Sequence, residues 1–183
     1  DSMEKMLEKI QSHPAPVYKI KVGGQQDLEI LKAIHASSNA VIRVDANAGW
    51  TYQQTVELLP ELEKLGVELI EQPLPIDQWQ EMIELKKISS IPFFADESCV
   101  FQKDVDSCAQ SFSGINIKLT KSSGITPALE MIKQARKLNL KIMLGCMNES
   151  SIGTAALVHL SPMVDYLDAD GPLLLSEDLA TGL

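Results

Sequence analysis

Three acidic residues stand at the ends of short apolar segments that are far apart along the chain. They are Asp45, Glu71 and Asp96. Carboxylates brought together at one place repel each other unless a cation lies between them. Hard oxygen ligands, completed by water, suit Mg²⁺, with Mn²⁺ as a substitute. The three acids are therefore candidate metal ligands, and the alternative is that they face solvent or cap the following helices.

Three lysines could supply acid and base groups. Lys19 and Lys21 are two residues apart in an apolar segment, so both side chains point to the same face of a strand. Lys118 directly follows another apolar segment. Two amines on opposite sides of a metal-bound substrate can remove a proton from one face and return one to the other, while the metal stabilises the enolate formed in between. A surface position beside Lys121 is the alternative for Lys118.

Four further polar residues follow the apolar segments. Asn47 lies just after Asp45 and is placed to support it, while Glu149, Asp168 and Asp170 come after the last two segments. Because Asp168 and Asp170 are two residues apart, they can face the same cavity and hold one cation. A solvated turn is the alternative for this pair. Glu149 is expected either to make a polar contact near the site or to cap the following helix.

The elements that must position these residues alternate along the chain. Short apolar segments of strand character recur at about the length of one βα unit, with amphipathic segments between them. The predicted strands are 17–22, 41–44, 67–70, 93–95, 115–117, 141–144 and 165–167. The predicted helices are 2–11, 27–36, 52–65, 77–88, 126–138 and 151–160. Strands buried on both faces and separated by helices indicate a parallel sheet.

Seven such strands fit a barrel better than an open sheet, because no glycine-rich dinucleotide-binding motif follows an early strand. In a barrel of the TIM type the catalytic groups project from the carboxyl ends of the strands, which is where the candidate residues lie. A complete barrel has eight strands and about 250 residues. This chain has 183 residues, opens on a predicted helix and stops at Gly182-Leu183. We therefore expect an α/β, TIM-like barrel without its first strand, with residues 1–183 as one partial domain.

Composition excludes several classes of function. The net charge is −9 and no run of Lys or Arg stands out, so neither nucleic acid nor an anionic membrane is an expected partner. Cys99, Cys108 and Cys146 form no CxxC pair, which argues against a structural zinc site and a disulfide framework. Unpaired thiols, short apolar runs and no signal peptide predict a cytoplasmic protein.

Taken together, the motifs resemble the muconate lactonizing enzyme subgroup of the enolase superfamily. The matching segments are Lys19-Ile20-Lys21, Arg43-Val44-Asp45-Ala46-Asn47, Ile70-Glu71-Gln72-Pro73, Ala95-Asp96-Glu97-Ser98 and Ile117-Lys118. The resemblance implies a (β/α)₇β barrel with Mg²⁺ on the three acids. It also implies acid/base chemistry by Lys21 and Lys118, with Lys19 supporting Lys21 electrostatically. Members carry an N-terminal capping domain that helps to choose the substrate, and no such domain is present in this sequence.

Two segments resemble the dipeptide epimerases within that subgroup, such as the L-Ala-D/L-Glu type. They are Gly145-Cys146-Met147-Asn148-Glu149-Ser150 and Asp168-Ala169-Asp170-Gly171-Pro172. In those enzymes the Asp-x-Asp pair binds the free α-ammonium group of the dipeptide. The implied function is a Mg²⁺-dependent isomerase that epimerises the C-terminal residue of a small dipeptide by 1,1-proton transfer. The oligomeric state is left open, with a homo-oligomer as one alternative.

Several alternatives remain at this point. The same scaffold supports N-acylamino acid racemases, muconate cycloisomerases and o-succinylbenzoate synthases, whose substrates carry no ammonium group for Asp168 and Asp170. A Schiff-base aldolase using Lys118 belongs to another chemical class and would not need a metal. A barrel that binds metal but has no activity is the alternative that is not an enzyme.

Overall fold

The computed structural model describes residues 2–180. Residue 1 and residues 181–183, the two ends of the predicted domain, lie outside the described residues. The strands are β1 (Val17–Lys21), β2 (Val41–Asp45), β3 (Leu69–Glu71), β4 (Phe93–Ala95), β5 (Gly114–Lys118), β6 (Lys141–Gly145) and β7 (Tyr166–Asp168). The helices are α1 (Met3–Ser12), α2 (Asp27–Ser37), α3 (Tyr52–Lys64), α4 (Trp79–Ile88), α5 (Val105–Ser111), α6 (Ile125–Lys137) and α7 (Ser151–His159). None of these helices is long and apolar enough to cross a bilayer.

The chain divides into two compact units, of which unit 1 ends at Phe94 and unit 2 begins at Ala95. In unit 1, β1, β2 and β3 pair in parallel and in chain order. The pairing aligns the last residues of these strands, so that Lys21 lies opposite Asp45 and Asp45 opposite Glu71. Side chains in register on parallel strands point to the same face. The register therefore builds one charged row at the carboxyl ends of three strands.

The helices of unit 1 bury one apolar face each, at the three- and four-residue spacing of a helix. The buried pairs are Leu31 and Ile34 in α2, Leu59 and Leu62 in α3, and Met82 and Leu85 in α4. Helix α3 begins after a capping box, in which the Thr51 hydroxyl accepts a hydrogen bond from the Gln54 amide and the Gln54 side chain accepts one from the Thr51 amide. This cap fixes the start of α3 directly after the loop that follows β2.

A buried carboxylate holds together the loops after β1 and β2. Asp27, the first residue of α2, accepts hydrogen bonds from the Gly23 and Gly24 amides and from the Trp50 indole at 2.8–3.1 Å. The two loops touch at Gly49, where an added Cβ would lie 2.9 Å from the Ala46 carbonyl oxygen and 3.1 Å from the Gly23 Cα. Only glycine permits this approach. The loops that follow Lys21 and Asp45 are thereby fixed against each other.

In unit 2, β5, β6 and β7 also pair in parallel and in chain order. The register places Lys118 opposite Gly145 and Gly145 opposite Asp168. Every residue of β5 is buried, as are Ile142 to Gly145 of β6. Unit 2 therefore builds its own row at the strand ends, with a glycine in the middle position.

The predicted elements agree with the structure except in details that matter for the site. Asp45, Glu71 and Lys118 are the last residues of their strands, which therefore end one residue beyond the predicted bounds 41–44, 67–70 and 115–117. Helix α5 is not predicted from the sequence pattern, because it has only seven residues and few apolar positions. The loop before α5 is held by Asp104, whose carboxylate accepts hydrogen bonds from two backbone amides of that loop.

Candidate active site

Two acidic side chains of unit 1 form a buried carboxylate pair, Asp45 and Glu71. They end neighbouring strands, lie in register and have no exposed surface. Buried carboxylates are costly unless cations or hydrogen-bond donors compensate them. The Lys19 ammonium meets this need, because its Nζ lies 2.8 Å from Glu71 Oε2 and 3.3 Å from Asp45 Oδ2. The carboxylate pair is therefore a preformed cation-binding group.

Lys21 contacts the same pair from the end of β1 in a more accessible position. Its Nζ donates to Asp45 Oδ2 and to Asn47 Oδ1, both at 2.9 Å. The Lys21 side chain is 67 % exposed, whereas that of Lys19 is 16 % exposed. Lys21 is therefore accessible to a bound molecule, whereas Lys19 is largely enclosed beside the carboxylates.

Asn47 supports both of its neighbours. Its backbone amide donates to Asp45 Oδ1 at 3.1 Å, and its side-chain oxygen accepts from Lys21. The residue has a positive φ of 44°, a conformation that asparagine tolerates better than most residues. One turn thus orients a carboxylate and an amine together.

In unit 2 the carboxylate of Asp96 is held by two lysines. Lys118 Nζ donates to Asp96 Oδ2 at 2.8 Å. Lys121 Nζ donates to the Asp96 carbonyl oxygen at 2.7 Å and also to Asp96 Oδ1. Burial raises the pKa of the Asp96 carboxyl, but the positive charges of Lys121 and Lys118 outweigh it and hold that pKa below its ordinary value. Asp96 is therefore ionised and oriented.

A second polar group of unit 2 combines Cys146 with the Asp-x-Asp pair. Single ligand atoms of Cys146, Asp168 and Asp170 all lie within 4.8 Å of one another. The Cys146 thiol donates to Asp170 Oδ1 at 3.4 Å. Burial and then the two nearby carboxylates raise the pKa of Cys146 to about 11, although a hydrogen bond from the Gly171 backbone opposes the shift. The thiol is therefore a neutral donor, and the two carboxylates can contact one cation.

Glu149 lies in the loop after β6 and folds back on that loop. Its Oε1 accepts a hydrogen bond from the Met147 amide at 2.8 Å. The first turn of α7 has a different acidic partner, because Asp178 accepts from the Ser151 amide and hydroxyl at 2.8 and 2.7 Å. Glu149 therefore shapes the loop that carries Cys146.

A family profile described as enolase C-terminal domain-like matches residues 2–174. The chain belongs to this family. The resemblance predicted from the motifs is therefore confirmed at the level of the family.

Individual proteins agree with this assignment. A Flavobacterium johnsoniae protein named L-Ala-D/L-amino acid epimerase is 49 % identical over 182 residues, which is 100 % of this chain and 54 % of that protein. A Pseudoalteromonas protein named N-acetyl-D-glutamate racemase is 37 % identical and covers 89 % of this chain and 51 % of that protein. The chain spans about half the length of the curated relatives it matches.

A solved structure shows the fold. It is a dipeptide epimerase of Methylococcus capsulatus in complex with Mg and the dipeptide L-Arg-D-Lys, with a TM-score of 0.94 and 33 % identity over 100 % of this chain and 55 % of that one. The α/β fold class predicted from the sequence, an incomplete TIM-like (β/α)₇β barrel, is confirmed.

Within each unit the structure brings several of the predicted site residues together, whereas Glu149 contacts only its own loop. Unit 1 joins Lys19, Lys21, Asp45, Asn47 and Glu71. In unit 2, Lys118 donates a hydrogen bond to Asp96, and Asp168 lies close to Asp170. The donor set fits Mg²⁺, since each acid is a hard oxygen ligand at a strand end and is almost entirely buried beside an ammonium group.

Two residues beside these clusters, Lys121 and Asn116, are not predicted by the sequence pattern. Lys121 lies outside the strand, and no periodicity connects it with Asp96. Asn116 is completely buried in β5, where its side-chain amide occupies the space next to Gly145. Its position between Ile115 and Ile117, two residues before Lys118, was the available signal.

Proposed function

We propose that this chain is the barrel part of a Mg²⁺-dependent dipeptide epimerase. The observation that carries the proposal is the pair Asp168 and Asp170, whose carboxylate oxygens lie within 4.8 Å of each other. Two carboxylates at this separation suit a substrate with an ammonium group. The F. johnsoniae relative named L-Ala-D/L-amino acid epimerase and the Mg–dipeptide complex of the M. capsulatus enzyme support the same choice.

We propose Asp45, Glu71 and Asp96 as the ligands of the metal. Each is at most 3 % exposed and already has an ammonium group as neighbour. When bound, Mg²⁺ supplies Lewis-acid stabilisation of the negative charge that develops on the substrate carboxylate as the α-proton leaves. Substitution by Mn²⁺ is a further proposal, based on the same hard-oxygen chemistry.

Lys21 and Lys118 would carry the protons. One of them, as the neutral amine, breaks the Cα–H bond of the C-terminal residue by taking the proton. The other, as the ammonium, forms the new Cα–H bond on the opposite face, so that the net charge of the site does not change. Lys19 would stay on the carboxylate pair, and Asn47 would orient Lys21 through the hydrogen bond at 2.9 Å. Glu149 would hold the loop that carries Cys146.

A second candidate is an N-acylamino acid racemase, because the Pseudoalteromonas relative is named N-acetyl-D-glutamate racemase. The lysines and the metal ligands serve this reaction equally well. The difference lies at the N-terminal end of the substrate, where an acyl group gives Asp168 and Asp170 no charge to neutralise. A half-buried carboxylate, Asp168, and an exposed one, Asp170, would then face an uncharged group and gain nothing from it.

Mass spectrometry in D₂O tests the choice between the two candidates. The full chain would be incubated with Mg²⁺ and a pool of dipeptides, L-Ala dipeptides first, together with N-acetylamino acids. We expect a gain of one mass unit confined to dipeptides and abolished by EDTA. Exchange confined to the acylated amino acids would establish a racemase and contradict the assignment of Asp168 and Asp170.

A matched variant ties the result to the Asp-x-Asp pair. Replacing both residues, Asp168→Asn and Asp170→Asn, should lower kcat/KM for the preferred dipeptide about 10²-fold or more, since a desolvated ammonium loses its counter-charges. Activity on any N-acetylamino acid should change little. A double variant that handles dipeptides as the wild type does would contradict the ammonium assignment.

Three properties of the whole protein are also proposals. We propose a cytoplasmic location, supported by three free thiols, Cys99, Cys108 and Cys146. We propose that residues 1–183 act as one partial barrel domain, supported by the family match over residues 2–174. A homo-oligomer is the proposed assembly, which size-exclusion chromatography with light scattering would test.

A further inference from the structure

Asp96 accepts hydrogen bonds from two lysines through different oxygen atoms. Lys118 donates to Oδ2, while Lys121 donates to Oδ1 and also to the backbone carbonyl oxygen of Asp96. Lys121 therefore makes two hydrogen bonds to Asp96, one to the carboxylate and one to the backbone. Such an attachment restrains the rotation of the carboxylate as well as compensating its charge.

The backbone after β5 explains how Lys121 reaches Asp96. The amides of Lys121 and Ser122 both donate to the Lys118 carbonyl oxygen, at 3.0 and 2.9 Å, and Gly124 donates to Leu119 at 2.8 Å. These bonds close a tight turn that returns Lys121 to the level of the strand end before α6 begins. The side chain of Lys121 is 21 % exposed. Burial of most of a lysine side chain is unfavourable without a partner, and Asp96 is that partner.

We propose that Lys121 is a positioning residue, which keeps the Asp96 carboxylate in its metal-binding orientation while Lys118 works on the substrate. The inference rests on the proposed function, in which Asp96 is a metal ligand and Lys118 a proton carrier. In the proposed function the Lys118 amine gains and loses a proton during turnover, so its hydrogen bond to Asp96 Oδ2 is not constant. Lys121 takes no part in the proton transfer and keeps its bonds to Oδ1 and to the backbone carbonyl oxygen of Asp96.

A purely electrostatic role for Lys121 makes the opposite prediction. Asp96, Lys118 and Lys121 together carry one excess positive charge when both lysines are protonated, which repels Mg²⁺. If Lys121 only compensated Asp96 in the absence of metal, its removal would tighten Mg²⁺ binding. If Lys121 positions the ligand, its removal should weaken binding, as loss of a group that orients a metal ligand commonly does. The sign of the change therefore decides between the two roles.

Isothermal titration of Mg²⁺ into the full chain measures this sign. We expect Lys121→Met to weaken the Mg²⁺ affinity about 10- to 100-fold. Lys121→Arg should recover most of the loss, because a guanidinium group can also donate to the carbonyl and to the carboxylate. Lys133→Met is the matched control, since it removes one lysine from an exposed pair with Glu130 in the same unit and should leave the affinity unchanged.

Activity gives an independent readout. The Mg²⁺ concentration for half-maximal rate should rise in Lys121→Met, while kcat at saturating Mg²⁺ falls less than the affinity does. If Lys121→Met does not fold, as judged by circular dichroism, Lys121→Gln provides the same test with a neutral donor and should bind Mg²⁺ with intermediate affinity. Unchanged or tighter Mg²⁺ binding by the folded variant would overturn the positioning role alone. Absence of Mg²⁺ binding by the wild type would overturn it together with the proposed function.

Discussion

Each of the two units ends its strands in a cluster of lysines and carboxylates, but the clusters are built differently. In unit 1, Lys19 and Lys21 compensate two carboxylates, Asp45 and Glu71. Both lysines come from one strand. In unit 2, two lysines compensate a single carboxylate, and one of them, Lys121, comes from the turn after the strand. With every group ionised, the unit 1 cluster is therefore balanced in charge, whereas the unit 2 cluster around Asp96 carries one excess positive charge.

The residues that lie in register at the strand ends also differ between the two units. Unit 1 aligns three charged residues across its strands, Lys21, Asp45 and Glu71. Unit 2 aligns Lys118, Gly145 and Asp168, so that its middle position has no side chain. In the proposed function this difference corresponds to a division of roles, in which unit 1 supplies two of the three metal ligands and unit 2 supplies the third together with the pair that binds the substrate ammonium group. Variants of corresponding residues in the two units test this division.

The largest effect is expected at Lys21 and Lys118, the two proposed proton carriers. Lys21→Ala and Lys118→Ala should each lower epimerisation at least about 10²–10⁴-fold, because inversion needs one proton carrier on each face of the α-carbon. Deuterium incorporation from D₂O, followed separately for the two epimers by mass spectrometry, should persist for one epimer only. The retained epimer should be opposite in the two variants.

Each variant leaves its carboxylate with another lysine, so the chain should remain folded. Asp45 keeps Lys19 after loss of Lys21, and Asp96 keeps Lys121 after loss of Lys118. Unaltered circular dichroism and thermal unfolding are the control. A Lys118→Ala variant that epimerises dipeptides at the wild-type rate would show that the two-base assignment is wrong.

The second prediction concerns Lys19, which compensates the buried carboxylate pair of unit 1. Lys19→Met should lower the free energy of unfolding in metal-free buffer by about 3 kcal/mol, because it leaves a buried charge without its counter-charge. Saturating Mg²⁺ should narrow the gap to the wild type, since the cation replaces the missing ammonium. Thermal unfolding with EDTA and with Mg²⁺ measures both values. Equal losses in the two buffers would contradict a metal site at Asp45 and Glu71.

Much of unit 1 could be predicted from the sequence because its cluster follows from local periodicity. Residues two apart on a strand face the same side, which relates Lys19 to Lys21 without knowledge of the fold. Asp45 and Glu71 each end an apolar segment, and parallel pairing brings such ends together. In these cases a short segment contains the whole signal.

The features that were missed depend on contacts between distant segments. Lys121 is related to Asp96 only through the turn after β5, which returns its side chain to a residue 25 positions earlier. Asp27 was not singled out, because its partners Gly23 and Trp50 lie on two different loops. The buried amide of Asn116 has a role only once β5 and β6 are in register. No periodicity of a single segment reports such contacts.

The smallest effect is expected at Gly145, the middle of the unit 2 row. An added Cβ there would lie 2.5 Å from the Asn116 side-chain oxygen and 2.7 Å from its nitrogen. Asn116 is completely buried, so its amide has little room to shift. Gly145→Ala should therefore destabilise the chain by about 2 kcal/mol, the usual cost of overpacking, and lower the midpoint of thermal unfolding by about 4–8 °C.

Gly24→Ala in unit 1 is the matched control. A Cβ at Gly24 would meet only an Asp27 carboxylate oxygen, at an ordinary contact distance of 3.6 Å, and should change stability by less than about 0.5 kcal/mol. The comparison shows whether the loss of stability comes from replacing any glycine near a strand end or from the close contact between position 145 and Asn116. If Gly145→Ala and Gly24→Ala unfold at the same temperature, the space beside Asn116 is adaptable. The glycine would then not account for the difference between the two rows.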